Sequence, residues 1–205
     1  MKSESDQKDH EAIAAATRFL SKTKDSVCMI MIPRQFPQAV SAILDSDKIV
    51  TTGLGKAGHA ARKAASSFCS LGFQSCYLSP SEASHGDVGI IAPGDCLLVF
   101  STSGKTREVL ETIDLAQKLG IHKVIVITSH IDSPIRKAAD VILDMGDIVE
   151  AGYLGLAPTT SILVMLIIAD MLALVCAEMS EITVEKFGLR HHGGYLGRKC
   201  RGEEQ

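Results

Sequence analysis

Two turns in the sequence combine glycine, hydroxyl and lysine side chains as phosphate-binding loops do. The first is Gly53-Leu54-Gly55-Lys56-Ala57-Gly58, and the second is Ser101-Thr102-Ser103-Gly104-Lys105-Thr106. Each follows a short apolar or β-branched run and precedes a helical pattern, so free backbone N–H groups at a helix start would lie beside a lysine. An N-cap needs one hydroxyl, whereas the second turn carries four. This turn therefore predicts a phosphate site rather than a simple helix cap.

The glycines of the first turn also fit the G-x-G-x-x-G spacing of dinucleotide-binding proteins. That fingerprint requires an acidic residue about 20 positions further on, at the end of the next strand, which binds the ribose hydroxyls. The next predicted strand, 74–78, is followed by Ser79-Pro80-Ser81 instead. An NAD-dependent oxidoreductase is therefore disfavoured, and we expect no cofactor.

Further along the chain, three ionisable groups stand in positions suited to acid–base chemistry. Glu150 follows a predicted strand and precedes the hydroxyl-rich segment 159–161, so its carboxylate is either a solvated loop charge or a group in the crevice at the strand ends. His191 and His192 stand before two glycines. Adjacent histidines do not easily face one metal ion, and imidazole titrates near neutral pH, so a general acid or base is the favoured interpretation.

A shorter cluster, from Glu82 to Asp87, includes His85 and follows the second predicted strand. Glutamate, histidine and aspartate are all common metal ligands, but their spacing here is typical of no particular metal site. A surface turn explains the cluster nearly as well, so by itself it predicts little.

Five short apolar runs that alternate with helical patterns must position these groups. The predicted strands are 48–52, 74–78, 96–100, 124–128 and 140–144. Such alternation indicates an α/β fold with a doubly wound parallel sheet, covered by helices on both faces. Ligands of such sheets bind outside the carboxyl ends of the strands, where the loops that follow the strands converge.

Length and composition restrict the remaining choices. The chain has 205 residues, of which 46% are hydrophobic, and we predict a single domain with a helical layer over about 10–45 and an α/β core over about 48–200. A net charge of −3, with three Tyr, six Phe and no Trp, argues against a nucleic-acid platform. The apolar run 162–177 contains Asp170 and is short for a membrane span, so we expect a buried core helix.

The cysteines and the N-terminal segment bear on the compartment. The six cysteines form no CxxC motif and lie mostly in apolar runs, which predicts buried, reduced thiols. The first ten residues are polar and lack the apolar region of a signal peptide. We therefore expect a cytoplasmic protein that contacts no membrane.

Five segments, taken in order, resemble the sugar isomerase (SIS) family and, within it, the D-arabinose 5-phosphate isomerases. They are TTGLGKAGH, SEASHGDVG, STSGKTRE, EAGYLGLAPTTS and LRHHGGYLGRK, and they cover about residues 48–199. The resemblance implies a three-layer αβα sandwich with five parallel strands, usually a homotetramer whose active sites are completed by neighbouring subunits. It also implies an isomerase that interconverts D-ribulose 5-phosphate and D-arabinose 5-phosphate through an enediol, toward 3-deoxy-D-manno-octulosonate for lipopolysaccharide or capsule.

The resemblance carries residue roles onto this sequence. The implied catalytic residues are Lys56, Glu108, Glu150 and His191. The implied contacts to the sugar and its phosphate are Gly55, His85, Ser101, Thr102, Ser103, Thr106 and Thr159. No metal is required, although His85 and His191 are candidates for an inhibitory metal site.

The inventory matches what moving a carbonyl between C1 and C2 requires. The reaction needs an acid or base to open the sugar ring, a carboxylate to carry a proton between adjacent carbons, and a cation near the developing oxyanion. We expect Glu150 to transfer the proton, with Glu108 as its rival, and His191 to open the ring. Lys56 is expected to stabilise the enediolate or the phosphate.

Three residues depart from the family pattern: Ala57 where Ser is common, Lys105 where Glu is common, and His192 where Pro is common. Lys105 is expected to add positive charge to the phosphate loop. The sequence ends at Gln205 without the nucleotide-sensing repeats of many relatives, so we expect any feedback ligand to bind in the sugar site. Two alternatives stay open: a non-catalytic phosphosugar-sensing module, and an isomerase of a heptose or hexulose phosphate.

Overall fold

The computed structural model describes residues 4–203 and contains a five-stranded parallel sheet between helical layers. Its strands are β1 (Ile49–Gly53), β2 (Ser75–Leu78), β3 (Cys96–Phe100), β4 (Lys123–Thr128) and β5 (Val141–Asp144). They lie in the order β2-β1-β3-β4-β5, and every neighbouring pair is parallel. The predicted α/β fold, a doubly wound αβα sandwich, is confirmed.

Helices connect and flank the strands. In the described residues they are α1 (Glu4–Cys28), α2 (Phe36–Leu44), α3 (Lys56–Ser70), α4 (Pro80–Ala83), α5 (Arg107–Lys118), α6 (Thr160–Met179), α7 (Val184–Gly188) and α8 (Gly194–Cys200). Short 3₁₀ turns lie at Asp87–Ile90 and Pro134–Lys137. The helical patterns expected after β1 and β3 are therefore α3 and α5.

The core lies on both faces of the sheet, because successive strand residues point to opposite sides. On one face, Ile49, Leu98 and Ile125 pack in a cluster with α2, α3 and α6. On the other face, Val50 and Leu97 pack with residues of α5. Every residue of β1 and β3 is buried, as expected for strands covered on both sides. Consequently α3 and α5, which follow these two adjacent strands, cover opposite faces.

Helix α6 is the main helix of the core. It is long and apolar enough to cross a membrane by length and composition, with a mean hydropathy of 2.4 over its most apolar window. Ten of its residues are nevertheless buried inside the protein, including Val164, Ile168 and Leu172, which pack in the cluster with α2 and α3. The structure therefore accounts for its apolar sequence as that of the core helix predicted for 162–177.

Two details differ from the sequence-based expectations. Helix α1 begins at Glu4, within the segment expected to be a polar leader, and almost all of its described side chains are exposed. Such a helix has no apolar stripe to reveal it, and its Ala, Glu and Lys residues favour helix by propensity alone. Among the cysteines, Cys28 and Cys69 are exposed, so the prediction of buried thiols is wrong for these two. It holds for Cys96 and Cys176, where burial raises the pKa of each thiol to about 12.

Candidate active site

A cavity of about 240 Å³ lies at the carboxyl ends of β1 and β3, where the strand order reverses. Both polar turns singled out in the sequence reach it. Its lining residues are Leu54, Lys56, Ala57, Phe100, Ser101, Thr102, Ser103, Thr106, Pro158 and Ile162. The structure thus brings together the glycine turn (residues 53–58) after β1, the serine loop (residues 101–106) after β3 and the start of α6.

The serine loop is held by its own backbone and by the chain after β4. The buried Ser101 Oγ accepts a hydrogen bond from the Gly104 N–H at 3.1 Å. The Thr102 carbonyl accepts one from the Ser129 N–H at 3.0 Å. Gly104 has a φ of +60°, and a Cβ there would lie 2.4 Å from Ile135 Cγ2. Only glycine fits this position without moving the loop.

The glycine turn places Lys56 at the first position of α3. Gly55 precedes the helix with a φ of +62° and has open space around it, so its requirement is conformational. Gly53 is different, because a Cβ there would lie 2.9 Å from the Phe100 carbonyl oxygen of β3. The absence of a side chain therefore lets the two strand ends, and the turns that follow them, approach closely.

Two helix N-termini at the cavity carry no side-chain cap in the described chain. Gly55 precedes α3 and Thr106 precedes α5, and neither makes a side-chain capping bond. The free N–H groups and the partial positive charge of a helix start attract anions. Together with the Lys56 ammonium and the Ser103 and Thr106 hydroxyls, they form an arrangement suited to a phosphate monoester.

The third helix at the cavity, α6, already has an anionic cap. Glu150 Oε2 accepts hydrogen bonds from the backbone N–H groups of Thr159 and Thr160, each at 2.8 Å, and from the Thr159 hydroxyl at 3.2 Å. Glu150 Oε1 accepts only a longer bond, at 3.4 Å from the Ser161 N–H. Of the two readings of Glu150 in the sequence, a solvated loop charge is therefore wrong.

These contacts set the protonation state of Glu150. Burial by itself would raise the pKa of the carboxyl, but hydrogen bonds from Ser161, Thr159 and Thr160 outweigh it and lower the pKa below the ordinary value. Glu150 is therefore ionised at neutral pH, as a general base must be. Thr159 donates its hydroxyl hydrogen to this carboxylate, and its expected contact with the sugar stays a prediction.

Glu108 and His85 lie near the same edge of the sheet but do not line the cavity. Glu108 is half-buried in the first turn of α5, directly after the serine loop. His85 is exposed in the segment after α4. Neither is held by a side-chain contact comparable to the one that fixes Glu150.

His191 lies far from Lys56 within one chain. Its ring stacks on Phe187 with 3.9 Å between centroids, and its Nδ1 lies 2.9 Å from the Phe187 carbonyl oxygen. Phe187 lines a groove with Ser67 and Leu71 at the end of α3, roughly 20 Å along that helix from Lys56. The predicted catalytic set is therefore not assembled by a single chain.

The candidate metal site is not assembled either. His85 follows β2 at the carboxyl edge of the sheet, whereas His191 lies beside the end of α3 at the opposite edge. Within residues 4–203, no group of three or more His, Cys, Asp or Glu side chains is placed to hold a metal ion.

Lys105 does not line the cavity with the other serine-loop residues. It lines a larger neighbouring cavity of about 550 Å³, with His130 and Asp132 after β4 and Asp144 at the end of β5. That Lys105 adds positive charge to the phosphate loop stays a prediction, since its side chain lines the neighbouring cavity. The cation beside the hydroxyls is Lys56.

Sequence reasoning missed the apolar walls of the cavity, which are formed by Leu54, Pro158 and Ile162. Apolar residues carry no chemical signature, and their position at the cavity depends on how α6 packs against the sheet.

Comparison with known proteins agrees with this architecture. Residues 42–175 match the SIS domain family. The chain belongs to the SIS domain family. Among solved structures, a Bacteroides fragilis protein provisionally assigned as a phosphosugar isomerase involved in capsule formation is 42% identical, with a TM-score of 0.86, and the match covers 90% of this chain and 99% of that one. An Escherichia coli CFT073 protein in complex with arabinose 5-phosphate is 31% identical, with a TM-score of 0.84 over 89% of this chain and 98% of that one.

Curated SIS relatives are longer than this chain. The arabinose 5-phosphate isomerase KdsD of Pseudomonas aeruginosa is 38% identical over 190 residues, which are 91% of this chain and 58% of that protein. KdsD of Escherichia coli K12 is 41% identical over 152 residues, which are 74% of this chain and 46% of that protein. The chain therefore spans about half the length of the curated relatives it matches.

Replacing Gly104 by alanine tests the serine loop. Because φ is +60° and the new Cβ would meet Ile135 Cγ2, we expect Gly104→Ala to lower the free energy of unfolding by about 2 kcal/mol. Urea unfolding measures this directly. The matched control is Gly89→Ala, where a Cβ meets nothing within 4 Å, and its stability should stay the same or rise slightly. Equal effects of the two variants would contradict the account of the loop.

Replacing Glu150 by glutamine tests the charged cap of α6. We expect Glu150→Gln to lower the free energy of unfolding by about 1 kcal/mol at pH 7, since the carboxylate faces the positive end of the helix. The pKa of Glu150 is lowered by folding, so its contribution is present above the ordinary value of 4.5 and disappears as the pH falls through the lowered value. Urea midpoints of both proteins should converge in acid. Glu178→Gln, an exposed change on the same helix, serves as control, and a gap that persists in acid would count against the cap.

Proposed function

We propose that the chain is an aldose–ketose isomerase that interconverts D-ribulose 5-phosphate and D-arabinose 5-phosphate. The observation that carries this proposal is the cavity between β1 and β3. There the Lys56 ammonium lies at the same cavity as the Ser103 and Thr106 hydroxyls and the uncapped starts of α3 and α5. An anionic ester binds there, with a cation beside the reacting end of the sugar and an ionised carboxylate, Glu150, at the neighbouring helix.

In this proposal the serine loop holds the phosphate, through Ser101, Ser103 and Thr106 with Thr102 beside them. Gly55 lets the turn bring Lys56 to the sugar, and His85 lies near the sugar at the rim. After ring opening, a carboxylate removes the proton from C2 of the aldose and returns it to C1, while the hydroxyl proton passes from O2 to O1. The Lys56 ammonium stabilises the enediolate oxygen that develops between these two transfers.

Two glutamates compete for the proton-transfer role. Glu150 is ionised and has Oε1 only weakly engaged, which leaves lone pairs for a proton. Its lowered pKa, however, makes it a weaker base, and its other oxygen caps α6. Glu108 makes no such capping contact, and neither glutamate is among the residues that line the cavity. We keep Glu150 as the proposed base, with Glu108 as the alternative.

The named relatives support the choice of sugar. KdsD proteins are arabinose 5-phosphate isomerases, and the Escherichia coli CFT073 structure contains arabinose 5-phosphate itself. A role in supplying 3-deoxy-D-manno-octulosonate for lipopolysaccharide or capsule, in the cytoplasm, follows as part of the same proposal. The Bacteroides fragilis relative, described as acting in capsule formation, is consistent with it.

We propose that His191 serves the site of a neighbouring copy in a homo-oligomer, with a homotetramer as the expected state. The His191 imidazole lies far from the cavity of its own chain, beside the end of α3. Opening of the sugar ring nevertheless requires an acid or base. Exposed apolar side chains that another copy could cover occur between β5 and α6 at Tyr153, Leu154 and Leu156, and on α1 at Ile13. Of these residues, Tyr153 is the most exposed, at 96%.

A phosphosugar-sensing module is the second candidate, and it would need only the serine loop. The ionised Glu150 favours an enzyme, since a carboxylate does not help to bind a phosphate, whereas Lys56 would serve either function. An isomerase of a heptose or hexulose phosphate shares every group described and differs only in how much sugar the cavity accepts.

A substrate panel tests the reaction. We expect the purified chain to convert D-ribulose 5-phosphate into D-arabinose 5-phosphate with no added cofactor, with or without a chelator. In D₂O the product should carry one deuterium at C2, because the enediol is protonated from a group that exchanges with solvent. NMR identifies both the product and the label. Conversion of a heptose or hexulose phosphate instead would change the assigned substrate.

Variants in the same assay separate the candidates. Lys56→Ala should lower kcat/KM by about a hundredfold or more, as expected for loss of an oxyanion-stabilising group. Whichever of Glu150→Gln and Glu108→Gln removes most of the turnover identifies the base. Detectable sugar phosphate binding with no turnover of any substrate would favour the sensing module.

Mixing two inactive variants tests whether copies share a site. Lys56→Ala and His191→Ala chains are each expected to be nearly inactive. If one site takes Lys56 from one copy and His191 from another, random co-assembly of equal amounts restores about a quarter of the sites. The measurement is kcat after joint unfolding and refolding, with separately refolded chains as control. No recovery in assembled hybrids would mean that both residues act from the same chain, whereas full activity of the His191→Ala chain by itself would mean that His191 does not act.

A further inference from the structure

The Tyr77 hydroxyl contacts the point at which β1 turns toward Lys56. Tyr77 is the third residue of β2 and donates its hydroxyl hydrogen to the Gly53 carbonyl oxygen at 2.8 Å. The pairing of β1 with β2 ends one residue earlier, at Thr52 and Leu78. The Tyr77 side chain therefore links β2 to β1 at Gly53, one residue beyond the last backbone pair of the two strands.

Tyr77 is also held by the helix that Lys56 begins. The Arg62 guanidinium lies over the Tyr77 ring, 3.8 Å from its centroid. This distance is within the range of a cation–π contact, which favours one position of the ring. Tyr77 thus touches both ends of the short connection: the Gly53 carbonyl at its beginning and α3 after it.

The surrounding space leaves little freedom for this arrangement. A Cβ on Gly58 would lie 2.6 Å from the Gly53 carbonyl oxygen and 3.1 Å from the Tyr77 hydroxyl oxygen. The first turn of α3 therefore packs directly on the bond between Tyr77 and Gly53. A change in the direction of the Gly53 carbonyl must move this turn, and Lys56 with it.

We propose that Tyr77 is a positioning residue for Lys56. Its hydroxyl fixes the Gly53 peptide, and the fixed peptide sets where α3 starts and where the Lys56 ammonium meets the sugar. The inference rests on the proposed function in so far as Lys56 is taken to act on a phosphosugar. Tyr77 itself does not line the cavity, so its effect on the reaction passes through the glycine turn.

The Tyr77→Phe variant removes the hydroxyl and keeps the ring beneath Arg62. We expect kcat/KM to fall about tenfold, since a small misplacement of a catalytic group is enough for losses of this order. Tyr195→Phe makes the same chemical change at an exposed site on α8 and should leave kcat/KM unchanged. Urea unfolding of both variants separates a loss of activity from a loss of folded protein.

A double-mutant cycle gives the readout that a merely structural role would not move. The effect of Tyr77→Phe is measured in the wild-type chain and in a Lys56→Ala chain. A Lys56→Arg chain, which keeps a cation, is measured as well and replaces Lys56→Ala if that chain has no measurable turnover. If Tyr77 acts through Lys56, the tenfold loss should shrink to about twofold or less in the Lys56 variants. An equal loss in every background, or no loss in the wild-type chain, would overturn the inference.

The failure of the inference and the failure of the proposed function give different results. A wild-type chain that turns over no phosphosugar and does not bind D-arabinitol 5-phosphate, which lacks the carbonyl and cannot react, overturns both. A wild-type chain that is active, with losses that are independent of Lys56, overturns the inference alone. Faster amide exchange at Gly58 and His59 in Tyr77→Phe, as their bonds to Leu54 and Gly55 loosen, is the expected structural signature.

Discussion

The close approach of Gly53 to Phe100 is the constraint on which the site depends. The two residues are register partners at the carboxyl ends of β1 and β3, and no side chain could separate them without a clash. The helices that follow these strands cover opposite faces of the sheet. The glycine turn and the serine loop therefore begin side by side at the strand ends and lead to opposite faces of the sheet. The cavity lies between the two turns, where they separate.

The arrangement of helix ends shows how a carboxylate can lie close to a cavity that attracts anions. A phosphate and a carboxylate repel each other unless each has its own positive partner. Glu150 occupies the start of α6 through three short hydrogen bonds, whereas the starts of α3 and α5 remain uncapped beside Lys56. The carboxylate is thus held and kept ionised by one helix, and the starts of two other helices remain able to attract an anion.

The sequence predicts the fold well because its information is local. Buried parallel strands are continuous apolar runs, and the runs at 96–100 and 124–128 became β3 and β4 with little change. The serine loop and Lys56 were predictable because glycine and hydroxyl residues after a strand have a chemical meaning of their own. The cap formed by Glu150 and the distance of His191 from Lys56 were not predictable, since both depend on where a long helix carries the chain. The sequence predicted only part of helix α1, because this helix has no apolar stripe.

Helix α6 also decides which groups one chain can bring to its own site. It begins at the cavity, and its 20 residues carry the chain about 30 Å toward the opposite edge of the sheet. Every residue after α6, His191 included, continues from that far edge, where the Arg190 guanidinium lies against Gly72 just after α3. The serine loop and Lys56 precede α6 and line the cavity within one chain, and Glu150 caps the start of α6. The groups that could hold an anion are therefore within reach of a single copy, whereas His191 lies at the opposite edge of the sheet from Lys56.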